Sequence, residues 1–141
     1  MLVESNRGGK GGDVYPNGWI VAAARTGFVL GTLALVVLSL APTSSLPPVA
    51  IWDKLAHAIA YGSLAACGTT GFAAARARRV IVMLLVVLGA GIEAAQPAVG
   101  GREGSLEDMA ANVLGIAAGY IVARIVHAAA HRRRAHHERR D

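Results

Sequence analysis

At 141 residues, with 54% apolar and 16% charged side chains and a formal net charge of +5, the chain is at most one domain and falls in the membrane class. That composition excludes an ordinary soluble four-helix bundle. Each helix would need a charged outer face, which the apolar stretches here lack, and 141 residues build no core large enough to hide them.

The chain opens on MLVESNRGGKGGDVYPNG, a polar, Gly-rich segment over residues 1–18 with no short apolar core ending in a small-residue cleavage site. A cleaved signal peptide is therefore not expected there. Four apolar stretches follow, at 19–41, 55–75, 80–99 and 109–130. Each runs to about 20 residues, enough at ~1.5 Å per residue to cross a hydrocarbon core of about 30 Å. The expected fold is all-α, a polytopic integral membrane protein with a four-transmembrane-helix bundle over 19–130. A basic tail at 131–141 completes the chain.

Topology follows from the cations. With four spans both termini share one side, and that side carries Arg7, Lys10, Arg25, Arg76, Arg78, Arg79, Arg124, Arg132, Arg133, Arg134, Arg139 and Arg140. Only Lys54 and Arg102 fall on the other, which places both termini in the cytoplasm. Trp19 and Trp52 mark the inner and outer interfaces. The tail HRRRAHHERRD suits anionic lipid headgroups, at about 1 kcal/mol per basic residue near the surface. Nothing in the chain supplies a groove-reading element for nucleic acid. His131, His136 and His137 read as solvated tail residues, and Cys67, the single cysteine, as a small buried packing residue with no disulfide partner.

The polar residues gather toward the outer end. In the second span Asp53, His57 and Tyr61 are four apart and stack on one face, bordered by Lys54. The third span carries Glu93 and Gln96 one turn apart, followed by Pro97, Gly100, Gly101 and Arg102. The fourth opens on Ser105-Leu106-Glu107-Asp108, a capping-box pattern with Ser105 as N-cap, and continues as a stripe of Asp108, Asn112, Gly115 and Gly119. Counting from the outer ends puts Asp53, Gln96 and Asp108 in a shallow layer with Lys54 and Arg102 at its rim. His57, Glu93 and Asn112 fall one turn deeper. Gly115 and Gly119 let helices approach closely beneath them.

Ionisable groups within a membrane cost roughly 2.5–3.5 kcal/mol each on insertion scales and point to function by default. Asp53, Lys54, His57, Tyr61, Glu93, Gln96, Arg102, Asp108 and Asn112 are the candidate ligand-binding residues. His57 with Glu93 is the candidate catalytic pair if the protein is an enzyme, with Lys54 and Arg102 as an anion clamp for a lipid phosphate. Ser44, Ser45 and Ser105 sit in no nucleophile motif. A His with two carboxylates suffices for a metal, but no metal-ligand spacing such as HExxH is present, so the cofactor stays open. A binding site without chemistry and a purely structural network are the remaining readings.

These residues resemble the signature of the VanZ-like membrane protein family. Its pattern is similar to Asp53-Lys54-Leu55-Ala56-His57 with Tyr61, then Glu93 with Gln96, Arg102, and Asp108 with Asn112, Gly115 and Gly119. The resemblance covers about residues 50–120 and leaves out the first span and both termini. It implies a bacterial inner-membrane protein connected with the cell envelope, in a family named for an accessory protein of glycopeptide resistance associated with teicoplanin tolerance. It implies no particular chemistry. The ligand expected on this basis is a polar or lipid-linked envelope molecule at the outer face.

Overall fold

A computed structural model describes residues 18–41, 50–99 and 105–137. They form four helices: α1 (Gly18–Ser39), α2 (Ala50–Gly71), α3 (Ala75–Val99) and α4 (Leu106–His137). The bounds differ from the apolar stretches at both ends of α2, which starts before Asp53 and stops at Gly71 rather than at 75. The polar first turn of α2 extends the helix beyond its apolar part, because hydrogen bonding along the backbone is indifferent to side-chain polarity. For the same reason α3 begins at Ala75, ahead of the apolar run, and α4 continues through its basic end.

The helices alternate in direction, as their cross-contacts show. At one end the C-terminus of α1 meets the C-terminal part of α3, where Gln96 Nε2 donates to Ser39 O at 3.3 Å. At that end the first turns of α2 and α4 also join, through the Lys54–Glu107 ion pair. At the other end Arg25 of α1 donates from Nε to Gly71 O, the last residue of α2, at 2.8 Å. Its guanidinium also lies 5.2 Å from the centre of the Phe72 ring. A C-terminal carbonyl of α2 thereby gains a donor it would otherwise lack. Arg25→Leu is expected to lower the melting temperature of the purified protein by a few degrees, about 1 kcal/mol at this exposed site. An unchanged unfolding curve would remove Arg25 from the account.

The centre of the bundle is α2, which packs most extensively on α4 and next on α1. Tyr61, Leu64, Ala65, Ile81, Leu85 and Ile116 form the core, with Phe28, Leu35, Phe72 and Val82 against it. The contact with α4 is a backbone-to-backbone one. A Cβ on Gly115 would overlap the carbonyl of Ala58, and one on Gly119 the carbonyl of Gly62. Small residues on both helices are what membrane helices use to pack without a hydrophobic driving force. Cys67 departs from expectation in being only half-buried. It faces Gly27 across the α1–α2 contact and lines a cleft there, so it is not sealed in the core.

The outer faces are strongly apolar. Val29, Leu30, Leu33, Val37 and Leu38 of α1, Met83, Leu84 and Val87 of α3, and Leu114, Ile121, Val122, Ile125 and Val126 of α4 are each more than half exposed. So continuous an apolar surface requires an apolar solvent. Three helical segments, Gly18–Ser39, Ala75–Val99 and Leu106–Ala129, have the length and hydropathy to cross a membrane. The protein is a membrane protein whose apolar helices meet lipid.

Candidate functional site

The helix faces that meet at the Ser39 end are the polar ones. On α2, His57 and Tyr61 are buried, their rings nearly parallel with centroids 6.4 Å apart. On α3 the buried face runs through Ile81, Leu85, Gly89, Ile92, Glu93 and Gln96. This is a six-residue stripe that turns polar only at its last two positions. On α4, Asp108, Asn112, Gly115 and Gly119 are all buried.

Three helices thus deliver four side chains to one place. His57 Nδ1 lies 3.0 Å from Asn112 Oδ1 and 3.9 Å from Glu93 Oε1. His57, Glu93 and Asp108 each offer a ligand-type atom, all within 4.8 Å of one another. The exposures are 7% for His57, 5% for Glu93, 9% for Asp108 and 2% for Asn112.

The start of α4 explains how two carboxylates come to face each other. Ser105 is the N-cap, its Oγ accepting from the backbone N–H of Glu107 at 3.1 Å and of Asp108 at 3.4 Å. In a reciprocal capping box the acidic residue at N3 would turn back onto the N–H of the cap. Here Glu93 Oε2 takes that N–H instead, at 3.1 Å. Asp108 is released from capping, and its Oδ1 is buried without a hydrogen-bond partner, as is Glu93 Oε1.

Deeper in, Tyr61 Oη and Asn112 Nδ2 are likewise buried and unpartnered. Both face Gly89, where a Cβ would stand 3.3 Å from the Tyr61 hydroxyl and 3.2 Å from the Asn112 amide nitrogen. Each unmet group costs about 1–3 kcal/mol. Four of them fall in this one cluster, a large cost for a network that serves packing alone.

The remaining expected residues divide. Lys54 is at the rim and paired with Glu107, with side-chain exposures of 47% and 70%; such a pair contributes about 0–1 kcal/mol. Gln96, 2% exposed, ties α3 to the end of α1 through Ser39 O and donates away from the carboxylates. Asp53 is in the first turn of α2, its side chain outside the description, and Arg102 lies outside the described residues, as do the side chains of Trp52, His131, His136 and His137. Two contributors carry no expectation from sequence. Ser39 has no motif to announce it. Gly89 has a readable signal, because it lies four residues before Glu93 on the same face.

The family model described as VanZ/LLP1 matches residues 17–127. The chain belongs to the VanZ/LLP1 family. The matched stretch takes in α1, which bears no motif, along with the three helices that build the VanZ-like cluster. No curated protein and no solved structure matches the chain.

Proposed function

We propose that this VanZ/LLP1 protein crosses the bacterial inner membrane four times with both termini cytoplasmic, and binds a lipid-linked envelope ligand at its outward-facing end. Helix α2, at 22 residues, is as long as α1 and is the most enclosed of the four. An intramembrane helix with a polar face is tolerated where other helices cover that face. Arg25, Arg76, Arg78, Arg79 and Arg124 sit toward the end away from the His57 cluster, as the positive-inside rule requires of a cytoplasmic side.

One observation carries the choice of ligand. A cleft of about 430 Å³ between α1 and α2 begins at Ser39 and His57 and runs past Gly31, Ala34 and Leu64 to Cys67. It is apolar along its length and polar where it meets the cluster, the pattern of an acyl chain attached to a headgroup. On this reading His57, Glu93, Asp108 and Asn112 face the headgroup, with Asp53, Lys54, Tyr61, Gln96 and Arg102 around them. Altered glycopeptide susceptibility on deletion would be the cellular expression of such a role.

The direct test is retention of radiolabelled polar lipids from bacterial envelopes by protein reconstituted in nanodiscs. Ala34→Phe, which fills the cleft, and His57→Ala are each expected to cut retention about tenfold or more, equivalent to about 1.4 kcal/mol of binding. Undiminished retention in both sinks the proposal. The same assay addresses catalysis by His57 and Glu93, which the 3.9 Å approach of their side chains favours. Lipid recovered unaltered from a protein that binds it excludes a hydrolase or transferase.

A further inference from the structure

We infer that His57, Glu93 and Asp108 bind a divalent transition-metal cation, with Zn2+ or Mn2+ the fitting class. The inference concerns the free protein and stands without the lipid-binding proposal.

The donor set is mixed and complete enough. One imidazole and two carboxylates present their ligand atoms within 4.8 Å of one another, from three different helices. Neighbouring donors about 2.1 Å from a shared cation lie roughly 3 Å apart, so the cluster needs only a small contraction to close on one. Imidazole selects against Ca2+ and Mg2+, and carboxylate oxygens suit Zn2+ and Mn2+ better than thiophilic ions. His57 Nδ1, the atom facing Glu93, is the imidazole ligand and gives up its hydrogen bond to Asn112 Oδ1 when metal binds; Asn112 Oδ1, 3.0 Å from it, is then a fourth donor on the same side.

Two independent observations point to a ligand. Glu93 Oε1 and Asp108 Oδ1 are buried without a hydrogen-bond partner, on residues whose ligand atoms lie within 4.8 Å of one another and of His57. The local backbone is also arranged to keep Asp108 available, since Glu93 Oε2 does the capping that Asp108 would do in a reciprocal box. A divalent cation held by two carboxylates and an imidazole makes a neutral set, the condition under which ionic groups persist in a membrane interior.

The test uses detergent-purified full chain with His131, His136 and His137 replaced by Ala, which removes tail histidines that chelate metal adventitiously. After EDTA treatment and desalting, incubation with Zn2+ followed by a second desalting is expected to leave about one metal per chain by elemental analysis. Asp108→Asn and Glu93→Gln are each expected to weaken Zn2+ binding at least about tenfold. To separate metal binding from any change in packing in these variants, Co2+ is added to the otherwise unsubstituted protein as a second readout. A visible ligand-field band that one equivalent of Zn2+ abolishes is the expected result. Absence of both Zn2+ retention and the Co2+ band overturns the inference. So does metal retained equally by both carboxylate variants, which would locate it elsewhere. Neither outcome bears on lipid retention in nanodiscs, so the two proposals fail separately.

Discussion

Gly119→Ala is expected to destabilise the protein by about 3 kcal/mol, the upper end for overpacking, because nothing at the contact can yield. The added carbon would overlap the carbonyl oxygen, carbonyl carbon and Cα of Gly62, all of them backbone, so relief requires α4 to move away from α2. The same holds at Gly115 against Ala58. Moving α4 outward would also draw Asp108 and Asn112 from His57, since all four α4 positions lie on one stripe. The measurement is a thermal unfolding curve in detergent, with monodispersity by size exclusion. Gly91 supplies the contrast within α3: a Cβ there meets nothing within 4 Å. Gly91→Ala is therefore expected to be neutral or stabilising by up to about 1 kcal/mol through helix propensity. Equal effects at the two positions would refute the backbone-contact account of the α2–α4 pair.

Glu93→Gln is expected to raise the melting temperature of metal-free protein by several degrees, corresponding to about 1–2 kcal/mol, while abolishing ligand retention. A glutamine keeps an amide oxygen for the Ser105 N–H, so the N-cap arrangement survives. What it removes is a second carboxylate beside Asp108 in a buried place. Two buried carboxylates side by side with no cation between them make the native residue the less stable choice. A residue retained for structure behaves in the opposite way. A fall in melting temperature would support the view that Glu93, His57 and Asn112 only lock the bundle, and would count against both binding proposals.

Much of this site was legible before any coordinates. The four-residue spacing of His57 and Tyr61 fixed their shared face, and counting from helix ends brought Glu93, His57 and Asn112 to one depth. The helical rise is constant, so depth is among the safer quantities to read from sequence. Ser105 as N-cap was legible for a similar reason, because capping is local chemistry. What failed to show was tertiary. The expected shallow layer joined Gln96 to Asp108, but Gln96 instead reaches Ser39 of α1, and Glu93 meets both Asp108 and His57. Which carboxylate turns toward the Ser105 N–H depends on how the α3 and α4 ends approach, and the motif alone implies the local answer. The cleft beside α1 was invisible, since most of its lining residues are small ones whose importance lies in what they leave empty. Gly31 and Ala34 look like any other positions in an apolar run.

That cleft also bears on how strong binding at this site needs to be. Its lining residues Gly27, Ala34, Ala56 and Ser63 are exposed along the seam between α1 and α2, so the cleft is accessible from the side of the bundle. A ligand that enters sideways is drawn from a two-dimensional reservoir in which lipids are already concentrated, and its encounter with His57 resembles the intramolecular encounter of a tethered partner. Occupancy is then set by mole fraction in the leaflet, not by aqueous concentration. A weak intrinsic affinity suffices to keep such a site filled, and assays in lipid-poor micelles would underestimate it systematically.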